Sequence, residues 1–211
     1  MKFCRRRRRS ILPNGHLAVI DMAVRVVNHP LAVRYRKSII LGALREDVWY
    51  FPVIGSTWEH LSISHFYKPP LPGGFIPFVT IGARHEVNRF FRRALREYRA
   101  GRVASAFVQF GRGNHILADM LCPVHSQRVF HQHDPFEWHV ETHIEELKRL
   151  PVPAVEDGDR PSDFVEGLAR FAGQFPVDAR LAAEQARQLV PMGAAYTAAH
   201  LRMFLRAVEH T

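Results

Sequence analysis

The chain has 211 residues, which is enough for one sizeable core or at most a domain and a half. Apolar residues make up 47%, which excludes a disordered chain, and no run of about 18 apolar residues provides a transmembrane helix. The formal net charge is +9, but Lys2 and the arginines at positions 5–9 supply six of these charges, so the rest of the chain is only weakly basic.

The basic segment 1–13 is predicted to be a disordered, solvated tail, because consecutive arginines repel one another. Such a tail also suits contact with an anionic membrane or, less favoured here, with nucleic acid. No hydrophobic stretch follows the arginines, so the sequence as written predicts a cytoplasmic protein, or a secreted one if translation starts upstream. Cys4 lies in this tail and Cys122 is the other cysteine, so no disulfide framework is expected.

Apolar residues recur at helical spacing through nearly all of residues 14–211, which predicts a single compact all-α domain of roughly eight helices. Prolines and glycines mark a loop over 69–74, and an acidic linker follows at 151–159. Residues 48–54 suit an extended segment, but Pro52 argues against a strand there. The predicted helices are, in chain order, one from Leu17 that ends before Pro30, one over 33–47, one from Phe78 to near Gly101, one over 103–121 that Pro123 stops, one opened by Pro135 that runs to about Leu150, one capped by Ser162, and two over 177–189 and 192–209.

Thirteen histidines are many for a chain of this length, and two of them stand four residues before an acid. His115 and Asp119 share one face of a predicted helix, and His133 and Glu137 repeat that spacing where the next helix begins. His125 lies between the two pairs. Because imidazole nitrogens and carboxylate oxygens are good zinc ligands, this spacing indicates neighbouring metal sites.

The same spacing is also compatible with a polar helix face that holds no metal. His139 and His143 stand four residues apart as well, and His131 competes with His133 for a place in any ligand set. Spacing alone therefore does not choose the ligands.

The stretch from His115 to His125 resembles the H-x3-D-x5-H signature of the bacterial zinc-dependent phospholipases C, including the proline two residues before the last histidine. That family continues with H-x3-E, which His133 and Glu137 match. The resemblance extends over nearly the whole chain and is most specific from Ser64 to Glu137. The other matching segments are Ser64-His65-Phe66-Tyr67, which is similar to the family's S-H-F-Y, Ile76-Pro77-Phe78, Asn14-Gly15-His16-Leu17, which is similar to its N-terminal T-H segment, and Pro191-Met192.

The resemblance implies the all-α fold of that family and a site with two or three zinc ions per chain. Asp119 would bridge two of these ions. The implied ligands are Asp47, His65, His115 and Asp119 for one zinc, His125, His133 and Glu137 for a second, and His16 with Asp119 for a third.

The activity that the resemblance implies is zinc-dependent phosphodiester hydrolysis of the phospholipase C type, with a phospholipid as substrate. Asp47 is predicted as the carboxylate that orients or deprotonates the attacking water. Two alternatives stay open: a single-strand-specific zinc nuclease, which shares the fold and the signature, and a non-catalytic helical module that holds a structural metal. The eight-residue step from His125 to His133, and Glu137 in place of the nucleases' aspartate, favour the phospholipase. No obligate protein partner is implied.

Three features depart from the family pattern. No tryptophan precedes His16, although an N-terminal tryptophan helps to hold the third zinc in the family. About four extra residues separate Asp47 from His65. Ser62 stands where an aromatic residue is expected, so the sequence does not indicate phosphatidylcholine as the substrate.

Overall fold

The computed structural model describes residues 14–51, 56–59, 64–129 and 134–210, so the predicted tail over 1–13 lies outside it. No helix within these ranges is long and apolar enough to cross a membrane. The elements are α1 (Asn14–Val27), α2 (Pro30–Arg34), α3 (Arg36–Asp47), β1 (Val48–Phe51), β2 (Ser56–Glu59), α4 (Ala83–Arg99), α5 (Val103–Asp119), α6 (Pro123–Gln127), α7 (Pro135–Thr142), α8 (Ile144–Leu147), α9 (Pro161–Ala172), a 3-10 turn (Ala179–Leu181) and α10 (Ala182–Glu209).

Helix α5 forms the centre of the fold, and most of its residues from Ala106 to Asp119 are buried. Helices α3 and α4 pack along it, while the long α10 packs against α1, α7 and α9. Phe107 and Phe110 of α5 lie against Phe204 of α10, with ring centroids 5.4 and 5.0 Å apart. Burial of these apolar faces is the main force that fixes α5 in the interior.

Two glycines allow α3 and α5 to approach closely. A Cβ atom added at Gly42 would lie 2.1 Å from the carbonyl oxygen of Val108, and one added at Gly111 would lie 2.0 Å from that of Ile39. Real Cβ atoms do not approach a carbonyl oxygen this closely, so only glycine permits the observed helix contact.

The contacts between α3 and α5 also give their relative direction. Tyr35, just before α3, stacks on Phe107 with ring centroids 4.8 Å apart. Glu46, in the last turn of α3, forms an ion pair with Arg112, which is further along α5. The two helices therefore run in the same direction, and α3 ends toward the C-terminal half of α5.

The all-α prediction is confirmed, with one short antiparallel hairpin whose first strand lies in the segment 48–54 that the sequence indicated as extended. Val48 pairs with Glu59 and Phe51 pairs with Ser56. The argument from Pro52 against a strand is wrong, because the first strand ends at Phe51 and its paired residues do not include the proline.

The predicted start of one helix at Phe78 is wrong, because α4 begins at Ala83 with Gly82 as its N-cap. Phe78 has a φ of 62°, which is left-handed and incompatible with an α-helix. Its backbone N–H donates instead to the carbonyl of Pro72, 3.2 Å away. The apolar residues before Ala83 therefore belong to a loop and not to a helical face.

The two predicted C-terminal helices are one helix, α10, with Pro191 in its interior. Pro191 removes one backbone donor, which normally kinks or ends a helix. Here Leu189, Val190 and Ala194 are all fully buried on both sides of the proline. Their packing holds the flanking turns in place and offsets the lost hydrogen bond.

Ser162 does not cap α9, contrary to the prediction. Arg160 occupies the N-cap position, and Pro161 follows at the first helical residue. The carboxylate of Asp163 accepts a hydrogen bond from the backbone N–H of Arg160 at 3.0 Å, while Ser162 is buried. In a capping box, the acid three residues past the N-cap accepts from the backbone N–H of the N-cap residue, a donor that the side chain of the cap itself does not satisfy.

Three further boundaries differ from those predicted. The helix expected over 33–47 is divided at Tyr35, and the one expected from Pro135 to Leu150 is divided at His143. Pro123 does not merely end a helix, since it opens α6 at the first turn.

Candidate metal centre

The structure brings four of the predicted ligands together at the C-terminal end of α5. His115 and Asp119 lie one turn apart on this helix, and both are buried. His16 approaches from the first turn of α1, and His65 from the loop that precedes α4. The i, i+4 spacing places the side chains of His115 and Asp119 on one face of α5. The packing of α1 against the rest of the fold brings His16 to the same place.

Asp119 is the point on which the three histidines converge. Its Oδ1 lies 3.3 Å from Nε2 of His16, and its Oδ2 lies 2.7 Å from Nδ1 of His65 and 3.5 Å from Nε2 of His115. The rings of His16 and His115 stack with centroids 4.0 Å apart. One nitrogen or oxygen each from His16, His115 and Asp119 falls within a sphere small enough for a single cation.

These separations fit ligands of one metal ion. Two ligand atoms at about 2.1 Å from a tetrahedral zinc are about 3.4 Å apart. The observed 3.3 and 3.5 Å between Asp119 and the imidazoles of His16 and His115 agree with that value. Asp119 is also the last residue of α5, where the helix dipole favours a positive charge.

A second group of ligand atoms lies between α6 and α7. Nε2 of His125 is 3.5 Å from Oε1 of Glu137, again the spacing of two ligands on one ion. His125 is mostly buried, whereas the side chain of Glu137 is about half exposed. Aromatic contact with Phe66, whose ring centroid is 4.7 Å away, holds the imidazole of His125 in position.

Cys122 and Asp134 stand beside Glu137, and the sequence interpretation did not include either of them. One ligand atom from each of the three falls within 4.8 Å of the others. The thiol of Cys122 lies 2.7 Å from Oδ2 of Asp134, and Oδ1 of the same carboxylate accepts from the backbone N–H of Phe136 at 3.1 Å. The position of Asp134 directly before Pro135 indicates an N-cap, but no pattern in the sequence pairs it with a cysteine 12 residues earlier.

The electrostatics of both groups favour a bound cation. Burial opposes ionisation of Asp119, but the neighbouring imidazoles of His115 and His65 outweigh burial and hold its pKa below the usual carboxyl range. Burial acts to lower the pKa of His125, but hydrogen bonding to Glu137 and the charge of Asp119 raise it overall. An ionised carboxylate among imidazoles is the donor set that zinc prefers.

Two predicted site residues have side chains outside the described part of the chain. His133 lies outside the described residues. Asp47 is the last residue of α3, and its side chain is outside the described part of the chain. Because α3 and α5 run in the same direction, the backbone of Asp47 lies toward the end of the fold that holds Asp119. The ligand roles of all eight residues stay predictions.

The alternative histidine pair does not join either group of ligands. His139 and His143 stack on each other with ring centroids 4.0 Å apart. Nδ1 of His143 lies 3.0 Å from the backbone carbonyl of His139, at the exposed end of α7. Their four-residue spacing therefore brings the two rings into contact with each other at the end of α7, which could not be told from the sequence alone.

Comparison with known proteins gives relatives in structure only. No protein-family model matches the chain, and no curated protein sequence matches it. The crystal structure of Clostridium perfringens alpha-toxin from avian strain SWCP matches with a TM-score of 0.71 and 16% identity, covering 93% of this chain and 64% of the toxin. The alpha toxin of Clostridium absonum matches with a TM-score of 0.63 and 15% identity, covering 94% of this chain and 65% of that one.

The chain therefore spans slightly less than two thirds of the length of the toxins that it matches. At this identity the likeness establishes the fold, and it agrees with the fold that the phospholipase C resemblance implied.

Proposed function

We propose that the chain is a zinc-dependent phosphodiester hydrolase of the phospholipase C type, with two or three zinc ions and a phospholipid substrate. The observation that carries the proposal is the convergence of three imidazoles on Asp119: His16 and His115 lie at separations that suit ligands of one ion, and His65 contacts the same carboxylate at 2.7 Å. The fold shared with two alpha-toxins and the sequence signature support it independently.

The ligand residues would divide between two neighbouring positions. His16, His65, His115 and Asp119 would hold metal at the end of α5, and the two oxygens of Asp119 face different imidazoles, as a bridging carboxylate requires. His125 and Glu137, with His133, would hold metal between α6 and α7.

Bound zinc supplies a Lewis acid for the phosphoryl oxygens and lowers the pKa of water toward about 7. The protein supplies the positions and the protons. Asp47, at the end of α3, is the proposed carboxylate that orients or deprotonates the attacking water. Attack at phosphorus breaks its bond to the glycerol oxygen, and this oxygen takes up a proton. The products are diacylglycerol and a phosphorylated headgroup.

The experiment compares substrates for the full chain after reconstitution with zinc. We expect hydrolysis of a monomeric short-chain phospholipid, lost on chelation and absent in the Asp119→Asn variant, which controls for contaminating enzymes. Cleavage of single-stranded DNA in place of the phospholipid would assign the zinc-nuclease activity. Bound zinc with cleavage of neither substrate would leave a non-catalytic metal module and overturn the proposal.

A further inference from the structure

The loop between the S-H-F-Y segment and α4 exposes an unusual amount of apolar surface. We call residues 68–82 the apolar loop. Of the eleven large hydrophobic side chains that are exposed in the described part of the chain, five belong to this loop. A surface cluster of this kind marks a site of interaction, whereas single exposed apolar residues do not. The five are Leu71, Ile76, Phe78, Val79 and Ile81, with Phe78 and Val79 at 75% and 76% exposure.

Hydrogen bonds and close backbone contacts within the apolar loop fix the conformation that exposes these side chains. The N–H of Gly74 donates to the carbonyl of Thr80 at 2.8 Å, and the hydroxyl of Thr80 donates to the carbonyl of Ile76 at 3.0 Å. Gly82 packs so closely on Gly73 that an added Cβ would lie 2.2 Å from the carbonyl oxygen of Gly73. The backbone is thus satisfied internally while the apolar side chains point to solvent.

Arg128 ties the apolar loop to the rest of the fold. Its Nη2 donates to the carbonyl of Leu71 at 2.8 Å and lies 3.2 Å from each of the next two carbonyls. Arg128 caps α6, the helix that carries His125. The orientation of the loop is therefore fixed relative to that helix.

The same loop is attached to the candidate metal centre. The backbone N–H of Tyr67 donates to the carbonyl of His125 at 3.3 Å, and the ring of Phe66 lies on the ring of His125. His65 precedes both residues and contacts Asp119. The residues that lead directly into the apolar loop are thus in contact with the candidate metal centre.

The charges around the loop narrow the choice of partner. Residues 64–85 contain no aspartate or glutamate. Of their two charged side chains, Lys68 is exposed, while Arg84 is partly buried and forms an ion pair with Glu166 at 3.3 Å. An apolar loop that carries an exposed lysine and no carboxylate of its own is complementary to a phospholipid surface, whose phosphates accept hydrogen bonds from the lysine and whose acyl region takes the apolar side chains.

We propose that the apolar loop inserts Phe78 and Val79 into the interface of a phospholipid membrane and so holds the candidate metal centre at the level of the headgroups. The proposed membrane contact depends only on the properties of the apolar loop. The purpose of that contact, which is to position the metal centre, rests on the proposed function.

The test uses the full chain and vesicles of phosphatidylcholine, which carry no net charge to attract the arginines of segment 1–13. Partitioning is measured by co-sedimentation for the unaltered chain and for the double variant Phe78→Ser/Val79→Ser. We expect the double variant to bind at least about tenfold more weakly, because burial of two such side chains contributes more than one factor of ten. A matched control is Val33→Ser/Leu41→Ser, which removes two other exposed apolar side chains and should change partitioning less than about twofold.

A second readout separates this proposal from the proposed function. The loop variant should hydrolyse a monomeric short-chain phospholipid as fast as the unaltered chain, which also shows that it folds, and should hydrolyse vesicles more slowly. Equal partitioning of the two chains overturns the loop proposal even if hydrolysis is observed. Loop-dependent partitioning without hydrolysis of any phospholipid upholds the loop proposal and overturns the proposed function. A change from dimer to monomer in the loop variant would assign the loop to a contact between two copies, and would overturn the membrane proposal.

Discussion

Nδ1 of His65 lies 2.7 Å from Oδ2 of Asp119, which joins a loop residue to the last residue of α5. Both side chains are buried, with 3% and 6% of their surfaces exposed. A contact this short between buried groups fixes the position of the carboxylate for the other two imidazoles. Asp119 is therefore the residue on which the candidate centre depends most.

The first prediction concerns that carboxylate. Asp119→Asn keeps the shape of the side chain but removes its charge and one of its acceptors. Mutation of residues that only hydrogen-bond to metal ligands commonly lowers metal affinity about 10- to 100-fold. Asp119 is a proposed direct ligand, so we expect zinc affinity to fall by more than about 100-fold. Isothermal titration of the metal-free protein with zinc measures the change.

His139→Ala is the matched control, because His139 stacks on His143 and touches neither group of ligands. It should leave zinc affinity within about threefold, since no metal contact is removed. A larger loss in His139→Ala than in Asp119→Asn would show that the ligand set is wrong.

The sequence predicted the helical part of the site better than the rest. His115 and Asp119 share a turn of α5, so their spacing and the apolar pattern around them were sufficient to pair them. His16 and His65 came only from the resemblance, because no local pattern brings α1 and a loop to the end of α5. Cys122 enters the sequence analysis only as one of the two cysteines of the chain, since its contact with Asp134 depends on how α6 and α7 meet.

Errors in the fold prediction arose where tertiary contacts outweigh local signals. Two helices are predicted over 177–189 and 192–209, yet burial of the neighbours of Pro191 keeps α10 continuous between them. Phe78 and Ile81 fit a helical stripe, but hydrogen bonds within the loop hold them outside α4 and expose them. An apolar residue in a sequence does not by itself reveal whether its partner is the core or an external surface.

The second prediction concerns His200, which is enclosed by Phe91, Phe110 and Phe164. Neither of its ring nitrogens has a hydrogen-bond partner in the described part of the chain. Burial lowers its pKa to about 3. The folded protein therefore keeps this imidazole neutral at pH values where the unfolded chain protonates it.

Because the unfolded imidazole binds a proton below about pH 6.5, the contribution of His200 to stability is complete above that pH and declines as the pH falls toward 3. At pH 5 the loss is about 2 kcal/mol. His200→Phe should remove this loss, as seen in urea unfolding at pH 7.5 and pH 5. The exposed His85→Gln is the control and should keep the pH dependence of the unaltered chain. An unchanged acid sensitivity in His200→Phe would contradict the prediction.

The third prediction concerns the thiol of Cys122, which is 2% exposed. Burial, with the nearby charges of Glu137 and Asp134, raises the pKa of this thiol well above its usual value. Since the thiolate is the reactive form, we expect alkylation by iodoacetamide at pH 8 to be at least about 100-fold slower in the folded protein than in urea. The Cys4→Ser background isolates Cys122, and rapid labelling of the folded chain would show that the thiol is accessible.

The fourth prediction concerns the contact between α3 and α5. Gly111→Ala places a methyl group against the backbone of Ile39, and backbone atoms cannot move aside as a flexible side chain can. We expect a loss of at least about 3 kcal/mol in the free energy of unfolding, measured with urea. Gly15→Ala is the comparison, because its added Cβ meets only a side-chain methyl of Val140 at 3.3 Å. That variant should change stability by less than about 1 kcal/mol, and similar losses in both would refute the close-contact explanation.

The most direct test of the metal centre is an anomalous difference map, collected at the zinc edge from crystals of the zinc-loaded protein. The account predicts two or three peaks per chain, one enclosed by His16, His115 and Asp119 and another beside His125 and Glu137. Peaks confined to other parts of the surface, or none at full zinc loading, would contradict it.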